Sequence, residues 1–347
     1  MKKTVFVGMS GGVDSSVAAL RLKNEGYNVV GVFIKVWHPD FMVCNWEAER
    51  LDAMRVAANL DIPFLTCNAE ETYKKEVADY FINEYVAGRT PNPDVMCNKA
   101  VKFGAFMEFA KEKGADFIAT GHYVQKIDNK LYRGNDNNKD QSYFLWSLTQ
   151  EQLDYSLFPI GSTPKEVVRQ EAAAANIPTA TKKDSQGVCF LGHIDIPEFL
   201  SHFTELKKGS VVNESGEVIG EHKGALVYTI GQRHGFTLNT KDTNRGHMFV
   251  VAKDLEKNTI TVSTEQPKGV VNEKLNLHNC VIRTKLETDD EVSIQLRYRQ
   301  TPLKAKVISI SEQEVTLEIE EESEKSASGQ SCVIYLGDEC IGGGIVA

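Results

Sequence analysis

The sequence predicts an α/β protein: a parallel-sheet nucleotide-binding domain, then a small β-rich central domain and a C-terminal β-barrel-like domain. Three observations predict it. Residues 1 to about 120 alternate β-branched or aromatic runs with segments of helical apolar spacing, the pattern of strand–helix units in a parallel sheet. The first run ends in a glycine-rich stretch at a helix start. From about residue 205 onward, helical spacing gives way to short strands and turns, the texture of antiparallel sheets or small barrels. The boundaries follow at 1–205, 206–270 and 271–347.

The first strand is read at Thr4-Val5-Phe6-Val7, followed by a helix with Val13, Val17 and Leu20 at i, i+4, i+7. Strands at Val29 to Ile34, Pro63 to Cys67 and Phe117 to Thr120 alternate with helices marked by Tyr73, Val77, Tyr80 and Phe81 and by Val101, Ala105 and Phe109. In the β-rich part, the turns Asn213-Glu214-Ser215-Gly216, Asp254 to Asn258 and Ser326-Ala327-Ser328-Gly329 lie beside or between runs such as Met248 to Val251, Thr259 to Val262 and Cys332 to Leu336.

The chain has 347 residues and a net charge of −9, with 41% hydrophobic residues, which excludes collagen-like and mostly disordered chains and leaves room for two to three domains. An acidic total means that any nucleic-acid surface is a local basic patch. No apolar stretch approaches the length of a membrane span, and the N-terminal apolar run breaks at Ser10-Gly11-Gly12 before Asp14, so it reads as a strand and not a signal peptide. The seven cysteines lack a C-x-x-C pair, which argues against a disulfide framework and a four-thiolate zinc site and places the chain in the cytoplasm.

Gly8-Met9-Ser10-Gly11-Gly12-Val13-Asp14-Ser15-Ser16 joins that first strand to its helix. Paired glycines allow close backbone approach, and the helix start supplies amides and a positive dipole end, so a phosphate belongs there. The run is neither of the common lysine- or dinucleotide-type loops. Asp14 beside a phosphate needs a cation, which implies Mg²⁺. The plain structural alternative is a tight turn with Asp14 or Ser15 as a helix cap. Ser10-Gly11-Gly12-Val13-Asp14-Ser15 resembles the pyrophosphate loop of ATP pyrophosphatases, which implies ATP.

The segment Gly88 to Lys99, with two prolines, lies before the helix of Val101 and Phe109. Cys97 near a helix start with Lys99 close by is expected to ionise readily, and Asp94 to move a proton. Cys189, among two glycines and the lysines Lys182 and Lys183, suits a loop whose thiolate meets a partner sulfur. Inert burial is the default for thiols, and Cys67, Cys280, Cys332 and Cys340 keep it, with Cys44 undecided.

Together these pieces, with Thr120-Gly121-His122-Tyr123, Asn138 to Leu145, Asp184-Ser185 to Cys189-Phe190, Gly231-Gln232-Arg233, Arg297 to Gln300 and Gly342 to Ile345, closely resemble the bacterial tRNA-specific 2-thiouridylases along almost the full length. The resemblance implies ATP-dependent adenylylation of oxygen 2 of the tRNA wobble uridine, then sulfur transfer from a persulfide on Cys189. Cys97 releases that sulfur by forming a disulfide, and Asp94 serves as acid or base. By the same resemblance Gly8, Met9, Ser10, Gly11, Gly12, Val13, Asp14, Ser15, Ile34 and Gly121 contact ATP, and Asn92, Pro93 and Asp94 the target base. His122, Lys139, Asp140, Gln141, Arg297, Tyr298 and Gln330 contact tRNA. Ile34 replaces the methionine expected there. Without the resemblance, His122 reads as a strand cap, Lys139 as a solvated loop residue and Tyr298 as strand packing. A sulfur-relay protein or cysteine desulfurase is the expected sulfur donor. Alternatives are another ATP pyrophosphatase-type ligase or synthetase, a non-catalytic RNA-binding protein, or an iron-sulfur cluster held by Asp94, Cys97 and Cys189.

Overall fold

The computed structural model describes residues 2–42, 46–183, 195–239 and 246–347. Strands β1 (Thr4–Gly8), β2 (Asn28–Lys35), β3 (Phe64–Asn68) and β4 (Phe117–Ala119) fall where the sequence predicts them; a hairpin of β5 (Val124–Ile127) and β6 (Lys130–Arg133) and a short β7 (Ser156–Leu157) follow. All but the hairpin form one parallel sheet, in the order β3-β2-β1-β4-β7. Alternate residues of β1 feed opposite faces. Val5 and Val7 pack with Val17 and Leu22 of the helix Val13–Asn24, whereas Phe6 packs with Phe106 and Ile118. Because β2 and β3 lie on one side of β1 and β4 on the other, the order in which strands are added to the sheet reverses between β1 and β4, which opens a crevice beyond their carboxyl ends.

Two long helices, residues 70–86 and 93–112, each contain a stretch of wider π-type turns, Lys74–Asp79 and Cys97–Ala105. Simple helical spacing does not reveal those turns. Among the described residues, no helix is long and apolar enough to cross a membrane.

The middle of the chain forms a five-stranded sheet from β8 (Gly209–Val212), β9 (Val218–His222), β10 (Phe236–Leu238), β11 (Phe249–Asp254) and β12 (Thr259–Ser263), in the order β10-β9-β8-β12-β11. The last six strands, β13 (Glu273–Ile282), β14 (Glu291–Gln295), β15 (Leu303–Ile310), β16 (Val315–Ile319), β17 (Ser331–Leu336) and β18 (Glu339–Val346), close into an antiparallel barrel through β13 and β18. The β5–β6 hairpin joins this barrel's sheet at Tyr132 and Glu339, an extension that the sequence reading did not contain. One core therefore runs across the joint, with Val124 and Leu131 packed with Val333, Tyr335 and Ile345.

Candidate functional site

The chain leaves β1 through a loop that only glycine can build. Gly11 has φ +70°, and a Cβ there would lie 2.6 Å from the Glu49 carbonyl oxygen. The helix Val13–Asn24 starts at once, from an extended Gly12, and no side chain caps it. Its first turn is therefore suited to an anion. Gly121, just after β4, closes the other wall: a Cβ on it would lie 2.6 Å from the Ser15 amide nitrogen and 2.7 Å from the Asp14 carbonyl carbon. Ile34 at the end of β2 and Phe106 form an apolar wall beside Gly8. The ATP candidates thus gather at the crevice between β1 and β4. The side chains of Met9 and Val13 are in the core, so these residues offer backbone only. The hydroxyls hold the loop in shape: Ser15 Oγ accepts from the Ser10 amide at 3.3 Å and donates to the Gly12 carbonyl, as does Ser16 Oγ at 2.7 Å.

Asp14 has a protein counter-charge. Lys165 Nζ donates to both carboxylate oxygens, at 2.7 and 2.8 Å, and the Tyr123 hydroxyl donates to one of them at 2.7 Å. Lys165 is buried, and a buried ammonium is costly unless paired. The sequence implies a cation, Mg²⁺, between Asp14 and a bound phosphate; the fold in addition places the Lys165 ammonium on that carboxylate. Sequence reasoning missed Lys165. It opens the helix Lys165–Ala174, 151 residues from Asp14, and no local pattern connects the two.

The second cluster lies on the helix of residues 93–112. This helix starts earlier than expected, because Asn92 accepts the Val95 amide as a cap and Pro93 occupies the first turn. Cys97 is therefore inside the helix, buried, at the start of the π-type stretch, and half-buried Asp94 stands one turn before it on the same side. Asn92, Val95, Met96 and Lys99 line a cavity of about 360 Å³ with Trp146 and Cys280. Lys99, two positions from Cys97, faces that cavity.

The chain matches the family described as "tRNA methyl transferase HUP domain" over residues 3–193, "tRNA methyl transferase PRC-barrel domain" over 197–264 and "Aminomethyltransferase beta-barrel domain" over 272–346. It is 42% identical to the tRNA-specific 2-thiouridylase of Enterococcus faecalis over 99% of this chain and 95% of that protein. With its counterpart in Bacillus pumilus it shares 44% identity, over 99% and 94%. The chain belongs to the tRNA-specific 2-thiouridylase family. A 4-thiouridine synthetase in complex with RNA and ATP superposes on 58% of this chain and 50% of that one, at 19% identity and a TM-score of 0.36, too loosely to bear on function.

Several of the expected tRNA-contact residues hold structural hydrogen bonds in this fold. His122 is buried, its Nδ1 2.8 Å from Thr120 Oγ1, and burial, aided by nearby Lys102, holds its pKa well below the usual imidazole value. It is therefore neutral. The buried Asp140 carboxylate accepts the Gly134 and Ser142 amides and pairs with Arg133 at 3.2 Å. Gln141 Oε1 accepts the Tyr123 amide, and Gln330 Oε1 accepts the Ala327 amide. Lys139 is half-buried, Arg297 pairs with Glu324, and Tyr298 packs on Phe144 with ring centres 4.6 Å apart. The Asn138 carbonyl accepts from Arg299 at 3.0 Å, which joins the two candidate RNA segments. Thr90, two residues before Asn92, bonds Ser328 of the barrel region and Thr229 of the middle region, so all three parts of the chain meet beside the second cluster.

Cys189 and Cys44 lie outside the described residues, and so does the expected meeting of Cys97 with Cys189. Burial pushes Cys67 and Cys280 up to about 11 and raises Cys332 and Cys340 as well, which keeps all four as thiols. No group of three or more potential metal ligands occurs among the described residues.

Proposed function

We propose that this chain replaces oxygen 2 of the tRNA wobble uridine with sulfur at the expense of ATP. The observation that carries the reading is end-to-end similarity to proteins named for that product, in a chain whose glycine loop stands at the sheet's switch point. Uracil oxygen 2 attacks the α-phosphorus of ATP, and pyrophosphate leaves. Adenylylation turns a poor leaving group into a good one. The terminal sulfur of a Cys189 persulfide then bonds to carbon 2. Cys97 thiolate attacks the Cys189 sulfur, the persulfide S–S bond breaks, a Cys97–Cys189 disulfide forms and AMP departs with the former oxygen 2.

In this scheme Gly8 to Ser15, Ile34 and Gly121 cradle ATP, and Lys165 balances Asp14 beside the phosphates. Asp94 moves the proton, with Asn92 and Pro93 at the base. A dithiol reductant opens the Cys97–Cys189 disulfide, and the freed Cys189 thiolate then takes the outer sulfur of a persulfide on a sulfur-relay protein or cysteine desulfurase, whose own cysteine leaves as a thiol. The test is incubation with ATP, a sulfur donor and unmodified tRNA, followed by nucleoside mass spectrometry. We expect 2-thiouridine, which is lost with Cys97→Ser and with Cys189→Ser while ATP still binds. Thiolation by either single variant overturns the two-cysteine scheme. Activity that follows iron and sulfide content in anaerobically purified protein replaces it with the cluster route.

A further inference from the structure

The RNA-contact candidates and the phosphate loop share one chain of hydrogen bonds, and Tyr123 is its centre. Its hydroxyl donates to Asp14 Oδ1 at 2.7 Å, its amide donates to Gln141 Oε1 at 2.9 Å, and its carbonyl accepts the Gln141 amide at 3.1 Å. The ring is buried and lies 5.8 Å from the Lys165 ammonium. A second arm runs in parallel, since the Lys165 amide donates to Asp136 Oδ2 at 3.1 Å while its ammonium grips Asp14. Asp136 in turn anchors its own loop: its carbonyl accepts the amides of Lys139 and Asp140, and its Oδ1 accepts the Asn138 amide. The packing leaves this linkage little slack. A Cβ on Gly134 would lie 2.4 Å from the Tyr123 carbonyl oxygen, and Gly121 abuts the Ser15 amide.

We propose that Tyr123 is a positioning residue that ties Asp14, and with it the anion cradle, to the polar loop of residues 134–142. Resting on the RNA-substrate reading above, the link makes RNA seated on that loop fix the carboxylate that orients the first turn of the phosphate helix. Energy coupling between two ligands is reciprocal, so ATP tightens RNA binding by the same factor as RNA tightens ATP binding.

The experiment compares affinity for an ATP analogue with a methylene bridge between its α- and β-phosphates, which binds as ATP but cannot lose pyrophosphate to the RNA, by calorimetric titration without and with saturating unmodified tRNA, in the wild type and in Tyr123→Phe, which removes only the hydroxyl. In the wild type, tRNA tightens ATP binding by about fivefold or more, the lower end of ordinary coupling. In Tyr123→Phe that factor falls toward one, while tRNA affinity measured without ATP stays unchanged. Should the variant fail to fold, amide hydrogen exchange of the wild type gives a second test: bound tRNA slows exchange in the first turn of the helix Val13–Asn24. Undiminished coupling in Tyr123→Phe, or no change of exchange in that turn, overturns the link while the functional reading stands. Failure of the wild type to bind tRNA overturns both.

Discussion

One methyl group at position 121 tests the anion cradle. The atoms that Gly121→Ala would meet at 2.6 and 2.7 Å are backbone atoms of the phosphate helix, which cannot move aside as a flexible side chain can. We expect ATP affinity to fall at least about tenfold, or 1.4 kcal/mol, in a calorimetric titration. Unchanged affinity would remove Gly121 from the site. His122 gives a prediction in pH. Burial keeps its imidazole neutral in the fold, well below its usual value of 6.5, whereas the unfolded chain takes up a proton near that value. Its contribution to stability is thus present above pH 6.5 and is lost as the pH falls below it, because the unfolded state then binds more protons. The melting temperature of His122→Gln, followed between about pH 7.5 and pH 5.5, is expected to drop less than that of the wild type. Equal drops would show that the ring is protonated in place.

The helix of residues 93–112 shows how far an element could be read from sequence. Its apolar face, Val101 and Phe109, was legible from spacing, and so were the rigid prolines, but Asn92-Pro93 is also a helix-start signal, and there the local preference decided. The π-type turns from Cys97 onward had no pattern to reveal them, since their wider register depends on what the helix packs against. The cap yields a discriminating pair of variants. Asn92→Ala removes the acceptor of the Val95 amide and is expected to cost about 1 kcal/mol, seen as a melting temperature lowered by a few degrees. Asn92→Asp keeps an acceptor and should melt like the wild type. If both melt alike, the cap does not hold this helix start.

At the scale of the whole molecule, what was legible was what the chain states locally: alternating strands and helices, then short strands with turns. Lys165 on Asp14 and the β5–β6 hairpin on the barrel are contacts between segments more than 150 residues apart, and neither leaves a local signal. The hairpin joins the barrel to the parallel-sheet region through a shared core. At its end, the Arg133 guanidinium stacks 3.6 Å above the Tyr335 ring, pairs with Asp140 and donates to Gln295 of β14 at 3.1 Å. Removing one partner of a buried ion pair leaves the other charge uncompensated and typically costs about 3–5 kcal/mol. In Arg133→Met that cost falls at the joint, because Tyr335 belongs to the barrel, Asp140 to the loop and Arg133 to the hairpin. Calorimetry of the wild type is therefore expected to give one transition for the parallel-sheet region and the barrel together, since the core is continuous across them. In Arg133→Met the barrel should separate as a transition of its own. A variant that still melts in one step, at the wild-type temperature, would mean that the apolar core alone unites the two halves and that the arginine adds nothing to their union.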